Sequence, residues 1–168
     1  MNPYPWVVFV HAATILGFFI AHGTSMAVAF RLKREDDPER VRTLLDLSGW
    51  ALALPSATLA PIGFFTGIAA GFMGGWWGQA WIWISLVLFV AVGIAMTPMV
   101  ASHVNAIREA AGAGKVGNPF SRKPPPPAPE PDPERLRILL DSWNPMPAAT
   151  MGLGSFTIIL WLMLFKPF

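Results

Sequence analysis

The chain contains no cysteine, so it holds no disulfide, no thiolate metal site and no cysteine nucleophile. Charge is scarce as well: ten Asp and Glu and twelve Lys and Arg make up 13% of 168 residues. None of them falls inside four long apolar runs, roughly residues 6–30, 50–73, 81–102 and 147–165. An apolar interior without carboxylate or lysine offers no general base, proton relay or coupling-ion site, which argues against an enzyme and against ion-coupled transport. The net charge of +2 is spread among interleaved carboxylates with no aromatic-basic groove, which argues against a nucleic-acid partner.

What the chain has instead is apolar surface. Hydrophobic residues make up 54%, the mean hydropathy is +0.48 and there are eight Trp, the profile of a membrane protein whose first partner is the lipid bilayer. Each apolar run has the roughly 20 residues a helix needs to cross a bilayer. The expectation is an all-α integral membrane four-helix bundle, a single domain over 1–168. Its two hairpins span 5–75 and 79–166. The flank "MNPYP" before the first run has no Lys or Arg, which predicts a retained span and not a cleaved signal peptide. Eleven of the twelve basic residues lie between runs one and two or between runs three and four, while "GFMGGWWGQ" between runs two and three is uncharged. Both termini are therefore expected outside, with residues 31–47 and 108–146 cytoplasmic. Trp6, Trp76, Trp77, Trp81, Trp83 and Trp161 then form the outer aromatic belt, and Trp50 and Trp143 the inner one.

Both basic segments contain one decapeptide. "DPERVRTLLD" at 37–46 and "DPERLRILLD" at 132–141 are identical at eight of ten positions. Asp37 and Asp132 suit an N-cap, Pro38 and Pro133 the first helical position, and Glu39 and Glu134 the positive helix end. Val41, Leu44 and Leu45, like Leu136, Leu139 and Leu140, recur at helical spacing opposite Arg, which predicts a short helix in the membrane interface. Chance similarity of two solvated linkers is the bland reading. The preferred one is an internally duplicated hairpin with parallel-repeat orientation. Aligning Arg34-Glu35 with Arg108-Glu109 sets His22 opposite Met96 and Ala29 opposite His103.

The second hairpin adds a proline-rich cytoplasmic linker, 118–133, with eight prolines in sixteen residues; it cannot be helical and reads as a semi-rigid strap. Inside the runs, small residues recur every fourth position at Ala13, Gly17, Ala21, Ser25 and Ala29, and at Gly63, Gly67, Gly71 and Gly75, a pattern that lets helix backbones approach closely. Pro55, Pro61 and Pro98 are expected to kink their helices, with Ser56, Thr58 and Thr97 nearby to satisfy freed carbonyls.

Three histidines carry what chemistry remains. His11 and His22 share nearly one face of the first run, roughly 16 Å apart along it, and His103 ends the third. An ionisable residue within a membrane is a functional hypothesis, although a neutral His also serves as an interior hydrogen-bonding group. Four-helix bundles hold haem through His or His and Met axial ligands. The candidate cofactor is haem b, with His22 as the preferred ligand, Met96 and Met99 at similar depth, and His11 and His103 as further candidates. Copper fits less well, for want of a dense His-Met cluster on an outer segment.

The stretches "HAATILGFFIAHGTSMAVAFRLKRE", "DPERVRTLLDLSGW", "PSATLAP" and "AGFMGGWWGQAWIWISL" resemble a family of bacterial predicted integral membrane proteins with no assigned function, over about the first 110 residues. That resemblance implies a multi-pass protein of the bacterial inner membrane. More distantly, the early histidine and four-span plan are similar to the copper-resistance CopD-type membrane domain and to four-span protoporphyrinogen oxidase, a haem binder. Only His11 matches their early histidine. The oxidase relies on an intramembrane lysine that this sequence lacks, so the resemblance does not bring that reaction with it. Two functions are expected in consequence: a haem- or porphyrin-binding bundle acting in electron transfer or cofactor handling, or a cofactor-free accessory or assembly subunit of a larger membrane complex or homo-oligomer.

Overall fold

The structure, a computed structural model, describes residues 2–114 and 127–168; the side chains of residues 50–54, 56, 57 and 97 lie outside the described set. Lys115 and most of the proline-rich strap, including Arg122 and Lys123, also lie outside the described residues. Among those described there are five α-helices, α1 (Tyr4–Leu32), α2 (Pro38–Gly74), α3 (Ala80–Ala110), α4 (Pro133–Ser142) and α5 (Met146–Phe165), with a 3-10 turn at Trp76–Gly78 and no strand. Three of them, α1, α3 and α5, are long and apolar enough to cross a membrane. The run expected at 50–73 is met in part: α2 carries a shorter apolar stretch, Thr58–Gly74.

Both decapeptides start helices as their residues dictate. The Asp37 carboxylate accepts from the Glu39 amide at 2.9 Å and Asp132 from the Arg135 amide at 3.0 Å, each with proline next in the chain. The copies then part. α4 stops after ten residues, whereas the first copy runs without a break into the 37 residues of α2, so the separate short helix expected at 37–46 does not form. The cause lies a few residues past the shared stretch. Pro145 disfavours helical backbone just before it, and Trp143 is extended at φ −79°, ψ 128°; the first copy has Trp50 where Pro145 stands, which permits the helix. Pro55, Pro61 and Pro98 lie inside α2 and α3 without ending them.

The apolar faces of the decapeptides do not lie against lipid. Val41 and Leu45 are buried in one cluster with their counterparts Leu136 and Leu140, closed by Val28 and Leu32 of α1, Ile107 of α3 and Trp143. The basic end of the molecule therefore has a core of its own, where apolar burial from water drives packing.

α1 and α2 run antiparallel. A Cβ on Gly67 would meet the His11 ring at 2.8 Å, one on Gly63 the Ile15 side chain at 2.6 Å, and one on Gly17 Leu59 at 3.1 Å. Glycine there sets the spacing of the two backbones, as the small-residue stripes require. Gly75 belongs to the cap instead: it ends α2 in the left-handed region at φ 70°. α3 and α5 pair through Trp81, Ile82 and Leu162, and Phe64 of α2 stacks with Phe89 of α3 at 6.0 Å. Trp76, Trp77, Trp81 and Trp83 gather at the end opposite the arginines, with the Lys166 ammonium 4.1 Å from the Trp76 ring centre. The outward surface of the long helices exposes Trp6, Phe9, Leu16, Ile20, Phe65, Ile94 and Leu164, an apolar coat suited to lipid and not to water.

A candidate ligand cavity

Helices that meet through glycine and aromatic side chains leave space between them. A cavity of about 720 Å³ runs among α1, α2, α3 and α5, from Phe18, Phe89 and Phe156 near mid-span to Arg108 and Trp143 at the basic end. That size is ordinary for a small-molecule site. A second cavity of about 550 Å³ opens toward the tryptophan end beside His11, Trp81 and Lys166, and shares Phe89, Phe156 and Ile159 with the first.

His22 is placed by two aromatic neighbours. Its ring stacks on Phe18 at 6.0 Å and tilts against Phe156 at 6.4 Å, while Phe156 meets Phe19 edge-on at 5.0 Å. Its Nε2 is buried with no hydrogen-bond partner among the described residues. Across from it, α5 presents Gly152: a Cβ built there would lie 3.4 Å from His22 Nε2 and 3.5 Å from Met96 Sδ. Both atoms thus flank one point on a helix that has no side chain at that position, and they are no more than about 7 Å apart. Ser25, one turn along α1, also lines the cavity and has a buried hydroxyl without a partner among the described residues.

The other expected residues fall elsewhere. His11 is committed to α2, its Nδ1 2.8 Å from the Gly63 carbonyl oxygen. Met99 is exposed on α3. His103 stacks on Trp143 at 6.0 Å, about 10 Å along α3 from Met96. Of the five candidates, the structure brings together His22 and Met96. His11 and His22 do both turn inward, toward different helices. Among the described residues no three His, Asp or Glu side chains gather as a metal cluster.

Sequence reasoning missed Arg108, which it counted only as a loop charge. This guanidinium is 7% exposed; Nη2 donates to Asp46 at 2.6 Å and Nε to the Gly114 carbonyl at 3.0 Å. Nη1 is buried without a partner among the described residues. Gly152 was missed too, because one glycine in "MGLGS" has no meaning until α5 is placed against α1 and α3.

No curated protein and no solved structure matches this chain. Residues 5–126, covering α1 to α3, match the model of a family described as "Predicted integral membrane protein (DUF2269)", and the chain, an all-helical protein with apolar helices of membrane-spanning length, belongs to that family.

Proposed function

We propose that this protein is a haem-binding membrane bundle in which His22 and Met96 would hold the group. The observation that carries the reading is the meeting of His22 Nε2 and Met96 Sδ around Gly152. An imidazole whose Nε2 has no partner among the described residues would serve as one ligand and the Met96 thioether as the second, with the bare backbone of Gly152 leaving a methyl-sized gap beside them. Haem b, if held by these residues, would supply one-electron transfer, and a methionine ligand would favour a raised reduction potential. Phe18 and Phe156 hold the imidazole in orientation and keep water from it.

The bundle is read as four spans with the arginine-rich end cytoplasmic and both termini outside. Its two hairpins, α1–α2 and α3–α5, are read as copies. The decapeptides support this, and so does a repeated ion pair: Arg40 reaches Glu35 at 3.7 Å and the equivalent Arg135 reaches Glu109 at 3.3 Å.

The test is the absorption spectrum, oxidised and reduced, of protein purified in mild detergent from haem-sufficient cells. A Soret band is expected in the wild type and in His11→Ala, and is expected to be lost or strongly reduced in His22→Ala. A wild type that shows no Soret band even after haem is added refutes the reading and leaves the accessory-subunit function in its place.

A further inference from the structure

We infer that the inner half of the large cavity is a site for one anionic phospholipid, its phosphate on Arg108 and one acyl chain laid along α3 toward Met96. The inference does not rest on the haem reading. Arg108 stands twelve residues beyond Met96 on α3, about 18 Å along the axis, well beyond the reach of a ligand centred on His22 and Met96.

Charge comes first. Arg108 lines the cavity, is more than nine-tenths buried, and keeps one guanidinium nitrogen, Nη1, without a partner among the described residues. A buried cationic donor left unpaired is costly, and a phosphate oxygen is the acceptor that guanidinium geometry suits best. Asp46 approaches from the solvent side, with its own side chain 53% exposed, and no Asp or Glu is among the residues lining the cavity. A second cation stands close by: Arg42 donates through Nη2 to the Gly112 carbonyl at 2.5 Å, and its Nε is buried without a partner among the described residues. Two arginines therefore hold one short loop, 112–114, with Asp46 paired to Arg108 and with Glu109 and Asp132 beside the loop but outside the cavity lining. Within the cavity lining Arg108 is the one charged residue among those described, and a lone cation favours a headgroup of net negative charge over a zwitterion.

Depth and length agree with this. Arg108 lies about 9 Å past Ser102, the end of the apolar run of α3, which is the level of the headgroup layer. Of the about 18 Å from Arg108 to Met96, the half from Ser102 inward, about 9 Å, lies within the roughly 15 Å that one leaflet's acyl chains occupy in a 30 Å hydrocarbon core. The intervening wall is apolar, with Val104, Ala101 and Val100 of α3 facing Ala148 of α5 and Ala29 of α1. The polar groups a headgroup needs, Asn105 and Ser48, sit at the arginine end.

The experiment is native mass spectrometry of protein released from nanodiscs containing equal phosphatidylglycerol and phosphatidylethanolamine, with the Soret absorbance read on the same samples. The wild type is expected to retain one phosphatidylglycerol, and Arg108→Gln to retain it about tenfold less or not at all. Ala101→Trp fills the slot while leaving Arg108 in place, and is expected to lose the lipid equally; it decides the matter if the arginine variant does not fold. Arg137→Gln, at an exposed arginine of α4, is expected to behave as the wild type. Absence of retained lipid in the wild type, equal retention of the two headgroups, or retention by Ala101→Trp each overturns the site. A missing Soret band refutes the haem reading alone.

Discussion

Segments 37–46 and 132–141 share eight residues, begin with the same capped Asp-Pro, and bury equivalent apolar pairs, Val41 with Leu45 and Leu136 with Leu140, in one cluster. One opens a 37-residue helix and the other ends after ten. A helix start is a local matter, settled by a carboxylate that satisfies orphan amides and a proline that has no amide to lose. A helix stop is set by residues downstream of the shared stretch, here by Pro145 standing where the first copy has Trp50. The copies also differ in what they hold. Asp46 pairs with Arg108, whereas its counterpart Asp141 forms no ion pair among the described residues.

The largest expected effect tests what the copies share. Leu45→Ala and Leu140→Ala each remove a buried side chain from the same cluster and are expected to cost about 2–5 kcal/mol, Leu45 the more because it is buried more completely. Unfolding in mixed micelles measures both; a neutral Leu140→Ala would mean that α4 is not part of this core. Next comes the feature that separates them. Trp50→Pro places in the first copy the residue that stops the second, and is expected to break α2 at a cost of about 3 kcal/mol or more, with helical circular dichroism falling. Unchanged helical content would remove the explanation given for the different lengths. The smallest effect concerns the two aspartates. Asp46→Asn weakens the pairing of a buried guanidinium and is expected to cost about 1–3 kcal/mol, while Asp141→Asn stays within about 0.5 kcal/mol. Equal effects would dissolve that asymmetry.

The parts legible in sequence were those fixed within one turn or one repeat. Asp37 and Asp132 announce their caps, and the apolar runs of α1, α3 and α5 announce themselves by length. The proximity of His22 and Met96 was legible through alignment of the two halves at Arg34-Glu35 and Arg108-Glu109. Other features needed helix packing. The tilted contact of His22 with Phe156, the bare surface at Gly152 and the burial of Arg108 each depend on how α5 and the 112–114 loop sit, which no periodicity encodes. The decapeptides were expected against lipid because an amphipathic face does not say what it will meet. The structure buries both faces in one shared cluster with residues of α1 and α3.

His22 and Met96 facing one site is the central claim, and the reduction potential of a Met96→His variant tests it most directly. With haem bound, exchanging the thioether for a second imidazole at the same place is predicted to keep the Soret band and lower the potential, since methionine ligation raises it. A potential equal to that of the wild type, with the band intact, would contradict Met96 as a ligand and with it the site around Gly152.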